Sequence, residues 1–250
     1  MINMETCRVA AIYNAFDGEE LLKYSINSIK NGVDLFIIVY QTTSNWGEEY
    51  DPLPNILEAV KDVKYQLVLF KPTTKNGFSN ETEKRNLGIE IAKQNNCTHF
   101  LNIDVDECYQ NFAEAKDLFF NSGKEGSCCK IFTYFKLPTL RFETEDTYFV
   151  PFIHKLLPNT KTGNSSYPYY VDPTRRINCS DVVLLDVHMH HYSWVRSNIE
   201  RKARNSSAKR NIERGSMLID YHNPNVGAGF YVKDAEKKLV EVKNYFNINI

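Results

Sequence analysis

Two aspartates end a short apolar stretch near the middle of the chain, His99-Phe-Leu-Asn-Ile-Asp-Val-Asp-Glu107. The run 98–103 is typical of a buried strand. Because residues two apart in an extended chain project to the same side, Asp104 and Asp106 should face the same space. Such a pair of carboxylates is costly unless positive charge lies beside it, and a divalent cation that holds a diphosphate is the usual solution. The pattern therefore predicts a metal site, with an acidic surface turn as the alternative.

Three histidines end an apolar run later in the chain, Val182-Val-Leu-Leu-Asp-Val-His-Met-His-His-Tyr192. Strand alternation places His188 and His190 on one side and His191 near the other. A lone histidine is usually a structural residue, but three within four positions favour a role in binding. The segment 196–214 that follows is basic. It is interpreted as a clamp on phosphates, a surface for a polyanionic acceptor such as DNA, or a solvated helix.

The elements that must position these residues alternate through the first half of the chain. Strands are predicted at 7–13, 35–40, 65–70 and 98–103, and helices at 19–31, 54–63 and 81–95. This order indicates an α/β fold with a mostly parallel central sheet flanked by helices. The second half is less regular, with strands predicted at 127–137 and 182–192, a loop at 159–173, and helices at 196–214 and 232–246.

Open sheets of this kind bind ligands at the carboxyl ends of their strands, where Asn14, Gln41 and Asp104 fall. A nucleotide bound there would direct its phosphates toward the aspartates. Lys84 and Arg85, near the start of the preceding helix, would donate charge-assisted hydrogen bonds to a diphosphate. A solvated helix face is the alternative interpretation of this basic pair.

Composition indicates an ordinary soluble globular protein. The 250 residues suffice for one α/β domain, and a net charge of -1 selects neither nucleic acid nor an anionic membrane. The start lacks the layout of a signal peptide and no apolar run reaches membrane-spanning length, so we expect a cytoplasmic protein without a membrane span. The 6 cysteines show no zinc spacing, which favours reduced thiols. The sequence makes no prediction of oligomeric state.

Four pieces occur in a fixed order: Val9-Ala-Ala-Ile-Tyr-Asn14 with Glu19-Glu-Leu21, Ile26-Asn-Ser-Ile29 with Leu35-Phe-Ile-Ile-Val39, Lys84-Arg-Asn-Leu-Gly-Ile89, and Phe100-Leu-Asn-Ile-Asp-Val-Asp-Glu107. In order and spacing they resemble the nucleotide-binding half of GT-A type glycosyltransferases, family 2 in particular. The resemblance covers about residues 7–110. It implies a single GT-A, Rossmann-like domain over 1–250, with a nucleotide-sugar half and an irregular acceptor-side half at about 111–250.

The activity that this resemblance implies is transfer of a hexosyl or pentosyl group from a nucleotide-sugar, with UDP-sugars favoured, using Mn²⁺ or Mg²⁺. Asp104 and Asp106 would bind the metal, completed by His191 or else His190. Where the family usually carries an aspartate for the base, this chain has Gln41. The donor-binding residues would be Tyr13, Asn14, Gln41, Lys84, Arg85, Asp104, Trp194 and Arg196.

An inverting enzyme of this kind also needs a carboxylate base, for which Asp146 fits the family's pattern best and Asp172 is the reserve. The expected acceptor is a surface-glycan precursor, with a modified DNA base as the alternative. A nucleotidyltransferase is a further alternative, although the expected Gly- and Arg/Lys-rich first loop is missing. A haloacid-dehalogenase-like phosphatase is less favoured because its Asp-x-Asp normally ends the first strand. A binding module without activity is the remaining possibility.

Overall fold

The computed structural model describes residues 7–74, 76–164, 166–205, 229–232 and 235–250. The predicted α/β fold is confirmed, with a large central sheet flanked by helices. In chain order the elements are β1 Val9–Ala15, α1 Glu19–Ile29, β2 Leu35–Tyr40, α2 Leu53–Val60, β3 Tyr65–Leu69, α3 Gly77–Gln94, β4 His99–Asp104, β5 Glu107–Tyr109, α4 Phe112–Ser122, β6 Gly126–Phe135, β7 Leu140–Phe142, β8 Val150–Lys155, β9 Val182–Trp194, α5 Ile199–Asn205, β10 Gly229–Val232 and β11 Ala235–Glu241.

The strand order brings several strand ends to one edge of the sheet. Strands β3, β2, β1 and β4 lie side by side and run parallel, and Asn14 lies opposite Asp104 in the β1–β4 register. Antiparallel β8 separates β4 from β6, and β9 runs parallel to β6. Strand β9 also pairs with β5, which directly follows the Asp-x-Asp motif. This pairing brings the second half of the chain to the same edge of the sheet.

Helix α3 packs closely against one face of the sheet, and this packing fixes the position of its N-terminal half near the same edge. Strand β1 is almost entirely buried, with Ala10 and Ile12 on the α3 side and Val9, Ala11 and Tyr13 in the cluster on the other face. A Cβ at Gly88 of α3 would overlap the Ile12 side chain, so only glycine permits this approach.

Most predicted elements of the first half are present with shifted ends. Helix α3 begins four residues before the predicted start at 81, because the Asn76 side chain accepts hydrogen bonds from the Phe78 and Ser79 amides and caps it. Elements β5, α4, β7 and β8 were not predicted. The predicted helix 196–214 is present as α5, and its remainder from 206 lies outside the described residues.

The predicted C-terminal helix at 232–246 is wrong. Residues Ala235–Glu241 form strand β11, which pairs antiparallel with β7 and places Leu239 opposite Phe142. Leu239 is buried in a cluster with Phe135 and Phe142. Lysine and glutamate in this segment favour a helix locally, but pairing with a strand whose apolar side chains need cover outweighs that weak preference.

Two further observations concern the cysteines and the helices of the described chain. All 6 cysteines lie in the described part of the chain and are free thiols. No helix among the described residues combines the length and the apolar character needed to cross a bilayer.

Candidate functional site

A cavity of about 200 Å³ opens at the carboxyl ends of β1, β2 and β4. It brings together nine residues that the sequence singles out: Asn14, Gln41, Lys84, Arg85, Asp104, Asp106, Asp172, His191 and Arg196. The sequence analysis did not single out other residues of its wall, among them Asp17, Asn45, Glu81, Arg175 and Asn205. The polar edge of the sheet is therefore a real enclosure that contains charges of both signs.

Guanidinium groups compensate both aspartates of the motif. Arg85 donates from Nη2 to Asp104 Oδ1 at 3.1 Å, and Arg175 donates from Nη2 to Asp104 Oδ2 at 2.5 Å. Arg196 donates to Asp106 Oδ2. Burial raises the pKa of the Asp104 carboxyl group, but Arg175 and Arg85 outweigh it and hold this pKa well below its usual range. In the described structure, arginine thus supplies the positive charge that these carboxylates need.

Glu107 fixes the turn that carries the motif. Its side chain is buried, and its Oε2 accepts a hydrogen bond from the Asp104 backbone amide at 3.0 Å. The Arg175 guanidinium donates to both Glu107 oxygens, at 2.6 and 3.1 Å. Burial raises the pKa of Glu107, even though Arg175 favours its charged form. Arg175 therefore joins two carboxylates that a short turn holds close together.

His191 reaches the cavity because β9 pairs with β5. Glu107 lies opposite His191 in that register, and the Tyr192 amide donates to the Asp106 carbonyl at 2.8 Å. His191 Nε2 lies 3.8 Å from Asp106 Oδ1, whereas Arg196 bonds the other oxygen of the same carboxylate. An imidazole nitrogen and a carboxylate oxygen therefore face each other at the cavity wall.

This pair fits a divalent cation in part. Metal–ligand distances near 2.1 Å allow two ligand atoms about 3–4 Å apart to share one ion. Among the described residues, no group of three or more His, Cys, Asp or Glu side chains is arranged to hold an ion alone. Diphosphate oxygens and water would supply the other ligands, which is how proteins usually hold Mg²⁺.

One face of α3 supplies unsatisfied positive charge to the cavity. Glu81, Lys84 and Arg85, three and four residues apart, all line it. Arg85 is 3% exposed, and within the described part of the chain its buried Nε and Nη1 have no hydrogen-bond partner. Burial lowers the pKa of Lys84 to about 8, which Glu81 and Asp104 partly counteract. Both side chains are buried, so the solvated-face interpretation of Lys84 and Arg85 does not hold, and phosphate oxygens are acceptors that would suit such donors.

Gly18 makes room for the guanidinium that holds Asp106. The backbone at Gly18 has φ +88°, and a Cβ there would overlap the Arg196 guanidinium. Helix α5 then adds Lys202, whose Nζ lies 3.8 Å from Asp106 Oδ2. The loop after β1, the motif after β4 and the segment after β9 therefore meet around one carboxylate.

Four predicted site residues, all in the described part of the chain, do not line this cavity. Tyr13 is fully buried and hydrogen-bonds Ser25 Oγ at 2.8 Å, and Trp194 packs against a C-terminal apolar cluster. His190 is on the opposite face of β9 from His191, with Nδ1 2.8 Å from Tyr134 Oη, and burial lowers its pKa to about 4. Asp146 Oδ2 accepts from Thr133 Oγ1 at 2.6 Å.

Asp172 and Arg175 reach the cavity together on a short 3₁₀ helix, Pro173–Arg175. Asp172 Oδ1 caps this helix by accepting from the Thr174 amide and hydroxyl, both at 2.7 Å. Asp172 Oδ2 has no hydrogen-bond partner among the described residues, and Asp172 lines the cavity. Arg175 was missed because Pro173-Thr-Arg-Arg176 carries no periodicity or motif. Only the folded chain shows which arginine is buried.

Comparison with known proteins gives a faint likeness. No protein-family model and no curated protein matches the chain. Among solved structures, it is similar to TarS from S. aureus, residues 1–349, at 11% identity and a TM-score of 0.45, over 74% of this chain and 60% of that chain. A second TarS structure is 13% identical with a TM-score of 0.44, and the match covers 74% of this chain and 36% of that chain. The complex of TarS 1–349 with UDP is 15% identical with a TM-score of 0.35, and the match covers 52% of this chain and 36% of that chain. The chain thus spans between 36% and 60% of these structures, and such likeness transfers no function.

Proposed function

We propose that the protein is a metal-dependent glycosyltransferase that moves a sugar from a nucleoside-diphosphate donor to an acceptor hydroxyl. The observation that carries the proposal is the cavity at the strand ends. There the Asp106–His191 pair and the Arg85 guanidinium line one cavity, and the buried Nε and Nη1 of Arg85 have no hydrogen-bond partner among the described residues. A diphosphate satisfies this guanidinium and would share a cation with the facing carboxylate and imidazole. UDP-sugars are the favoured donors, and Gln41 lies where the base would be read.

Five charged or titratable residues of the cavity have a role in this proposal: Lys84, Arg85, Asp104, Asp106 and His191. Arg85 and Lys84 bind the diphosphate, and Asp106 and His191 would hold Mn²⁺ or Mg²⁺. When bound, the cation would neutralise charge that develops on the leaving diphosphate. Asp104 is bonded by two arginines, so its oxygens orient Arg85 toward the ligand. The arginines thus prepare the site for an anion before it binds.

The base is proposed to be Asp172 rather than Asp146, if the transfer inverts configuration. Asp172 lines the cavity and keeps Oδ2 available, whereas Asp146 is bonded by Thr133 outside the cavity wall. Asp172→Asn should therefore lower turnover about 100-fold or more with donor affinity unchanged. Asp146→Asn is the matched control and should retain most of its turnover. The turnover of both variants is measured as metal-dependent transfer or donor hydrolysis, with release of the nucleoside diphosphate as the readout. The opposite ranking of the two variants would contradict this assignment.

A glycan remains the preferred acceptor over a DNA base. In the described part of the basic segment, Arg201 is paired with Asp17, Arg204 with Glu48, and Lys202 lies near Asp106. Cations already engaged by carboxylates of their own chain are poorly placed to form a polyanion-binding surface. Residues 206–214 of that segment lie outside the described residues.

A further inference from the structure

Lys202 of α5 lines the charged cavity, but the roles proposed above do not use it. Its Nζ lies 3.8 Å from Asp106 Oδ2, beyond hydrogen-bonding distance, and its side chain is 23% exposed. The other two basic residues of α5, which is described over its whole length, are paired with carboxylates of separate loops: Arg201 with Asp17 and Arg204 with Glu48. Lys202 is therefore the cation that α5 presents to the cavity.

Arg196 and Lys202 approach the same oxygen of Asp106 but are held to it with different firmness. The Arg196 side chain is 1% exposed, donates to Asp106 Oδ2 and occupies the space beside Gly18 where a Cβ would overlap it. Lys202 makes the longer contact, and its flexible four-carbon stem allows the ammonium group to turn to another partner. Exchange of partners is therefore open to Lys202, whereas removal of Arg196 would break a buried ion pair.

Lys202 competes with a divalent cation for the charge of Asp106. Asp106 and His191, whose facing atoms are 3.8 Å apart, are the proposed metal ligands. Positive charges that share one carboxylate repel each other. Because the Asp106 side chain is 4% exposed, water and salt screen this repulsion only weakly. Without a diphosphate in the cavity, Lys202 should therefore weaken the binding of the cation.

A diphosphate in the same cavity reverses the effect of Lys202. Arg85, a proposed diphosphate ligand, and Lys202 both line this cavity of about 200 Å³. A diphosphate offers the ammonium group charge-assisted hydrogen bonds in place of the looser contact with Asp106. Once Lys202 turns to the phosphates, the Asp106 carboxylate is available to the cation. The same side chain thus opposes the cation alone and stabilises the cation and the diphosphate together.

We infer that Lys202 couples cation binding to nucleoside-diphosphate binding, by exchanging Asp106 for the diphosphate when both ligands bind. The inference rests on the proposed function, and it adds a regulatory residue to that site. Coupling of this kind is reciprocal: the factor by which Mn²⁺ raises UDP affinity equals the factor by which UDP raises Mn²⁺ affinity. Lys202→Gln should reduce this factor.

Two titrations of the intact protein test the inference: Mn²⁺ alone, followed by the electron spin resonance of the free ion, and UDP in Mn²⁺, followed by calorimetry. Lys202→Gln should bind Mn²⁺ alone about threefold more tightly, which is the effect expected of a partly exposed ion pair. It should bind UDP in Mn²⁺ about tenfold more weakly, because a charge-assisted hydrogen bond is lost. A purely structural role of Lys202 would instead weaken both affinities.

Arg204→Gln is the matched control, because it removes a positive charge from the same helix. The Arg204 side chain is 57% exposed and paired with Glu48, and neither residue is among the described residues that line the cavity. Its affinities for Mn²⁺ alone and for UDP in Mn²⁺ should both equal those of the wild type.

The inference would be overturned if Mn²⁺ alone bound Lys202→Gln no more tightly than the wild type, or if the two proteins bound UDP in Mn²⁺ with equal affinity. Either result leaves the proposed function standing as long as the wild type binds UDP more tightly in Mn²⁺ than in EDTA. Equal UDP affinity of the wild type in Mn²⁺ and in EDTA would reject the proposed function, and the inference with it.

Discussion

At the scale of single residues, buried and partly buried charges of opposite sign are paired in the cavity at the strand ends. Asp104, Asp106 and Glu107 are matched by Arg175, Arg85 and Arg196. Breaking such a pair from one side leaves an uncompensated buried charge, which is far more costly than the pair itself is stabilising. The carboxylates therefore serve both as binding groups and as the counter-charges that allow three arginines to be buried at a strand edge.

Lys84 gives this charge balance a measurable pH dependence. Its pKa of about 8 means that its positive charge is lost as pH rises through that value, and a diphosphate prefers the charged form. UDP affinity should be constant just above pH 7, where the ligand is fully ionised, and should fall as pH rises through about 8. Calorimetry in Mn²⁺ from pH 7 to pH 9.5, roughly the window that the pKa defines, measures it.

Lys84→Arg and Lys84→Met are the controls for that experiment. Arginine stays charged over the whole pH range, so the UDP affinity of Lys84→Arg should not fall. Lys84→Met has no charge at this position and should bind UDP weakly at every pH. Stability should move in the opposite direction. Between about pH 8 and pH 10.5, Lys84 is protonated in the unfolded chain and neutral in the folded one, so the free energy of unfolding should rise with pH. A fall in affinity that persists in both variants would assign the titration to another group.

At the scale of elements, helix α5 is held to three separate loops. Arg201 Nε donates to Asp17 Oδ1 at 2.9 Å and its guanidinium lies 3.8 Å from the Tyr50 ring centroid. Arg204 bonds Glu48 on the loop after β2, and Lys202 reaches Asp106. Since Lys202 and Asn205 form part of the cavity wall, the position of α5 determines the shape of the donor site.

Arg201→Gln should loosen α5 more than Arg204→Gln does. The Arg201 side chain is 15% exposed and makes both an ion pair and a ring contact, whereas Arg204 is 57% exposed and screened by solvent. Amide hydrogen exchange over α5 should therefore accelerate in Arg201→Gln, with weaker UDP binding, and stay close to wild type in Arg204→Gln. Wild-type exchange rates over α5 in Arg201→Gln, or equal acceleration in the two variants, would contradict this ranking.

Sequence patterns predicted these elements where local signals and buried surface agree. Strands β2 and β4 are continuous apolar runs between polar loops, and they are present close to the predicted limits. Strand β11 was predicted as a helix because its pairing with β7 depends on a segment about 100 residues earlier, which no local pattern records. Asp106 was predicted from the spacing of the motif and His191 from the family resemblance, whereas Arg175 was found only from its burial, because contacts across the fold select it.

At the scale of the whole molecule, one sheet joins the first and second halves of the chain around the charged cavity. Parallel strands β1, β2 and β4 present the donor cavity, and β9 brings His191 to it from the second half of the chain. Arg175 joins the segment that carries Asp172 to the motif after β4. Asp172, the proposed base, therefore lines the same cavity as Asp106 and His191.

Calorimetric titration of UDP in Mn²⁺ and in EDTA tests the central claim most directly, namely that Asp106 and His191 bind a cation together with a nucleoside diphosphate. We expect binding in Mn²⁺, with affinity about 100-fold lower in EDTA and in Asp106→Asn, because mutating even a residue that only hydrogen-bonds a metal ligand typically costs about 10–100-fold in metal affinity. Asp186→Asn, at a carboxylate that is 88% exposed and paired with Lys130, should bind like the wild type. Equal affinity in Mn²⁺ and in EDTA would contradict the account, and would assign the diphosphate to the arginines alone.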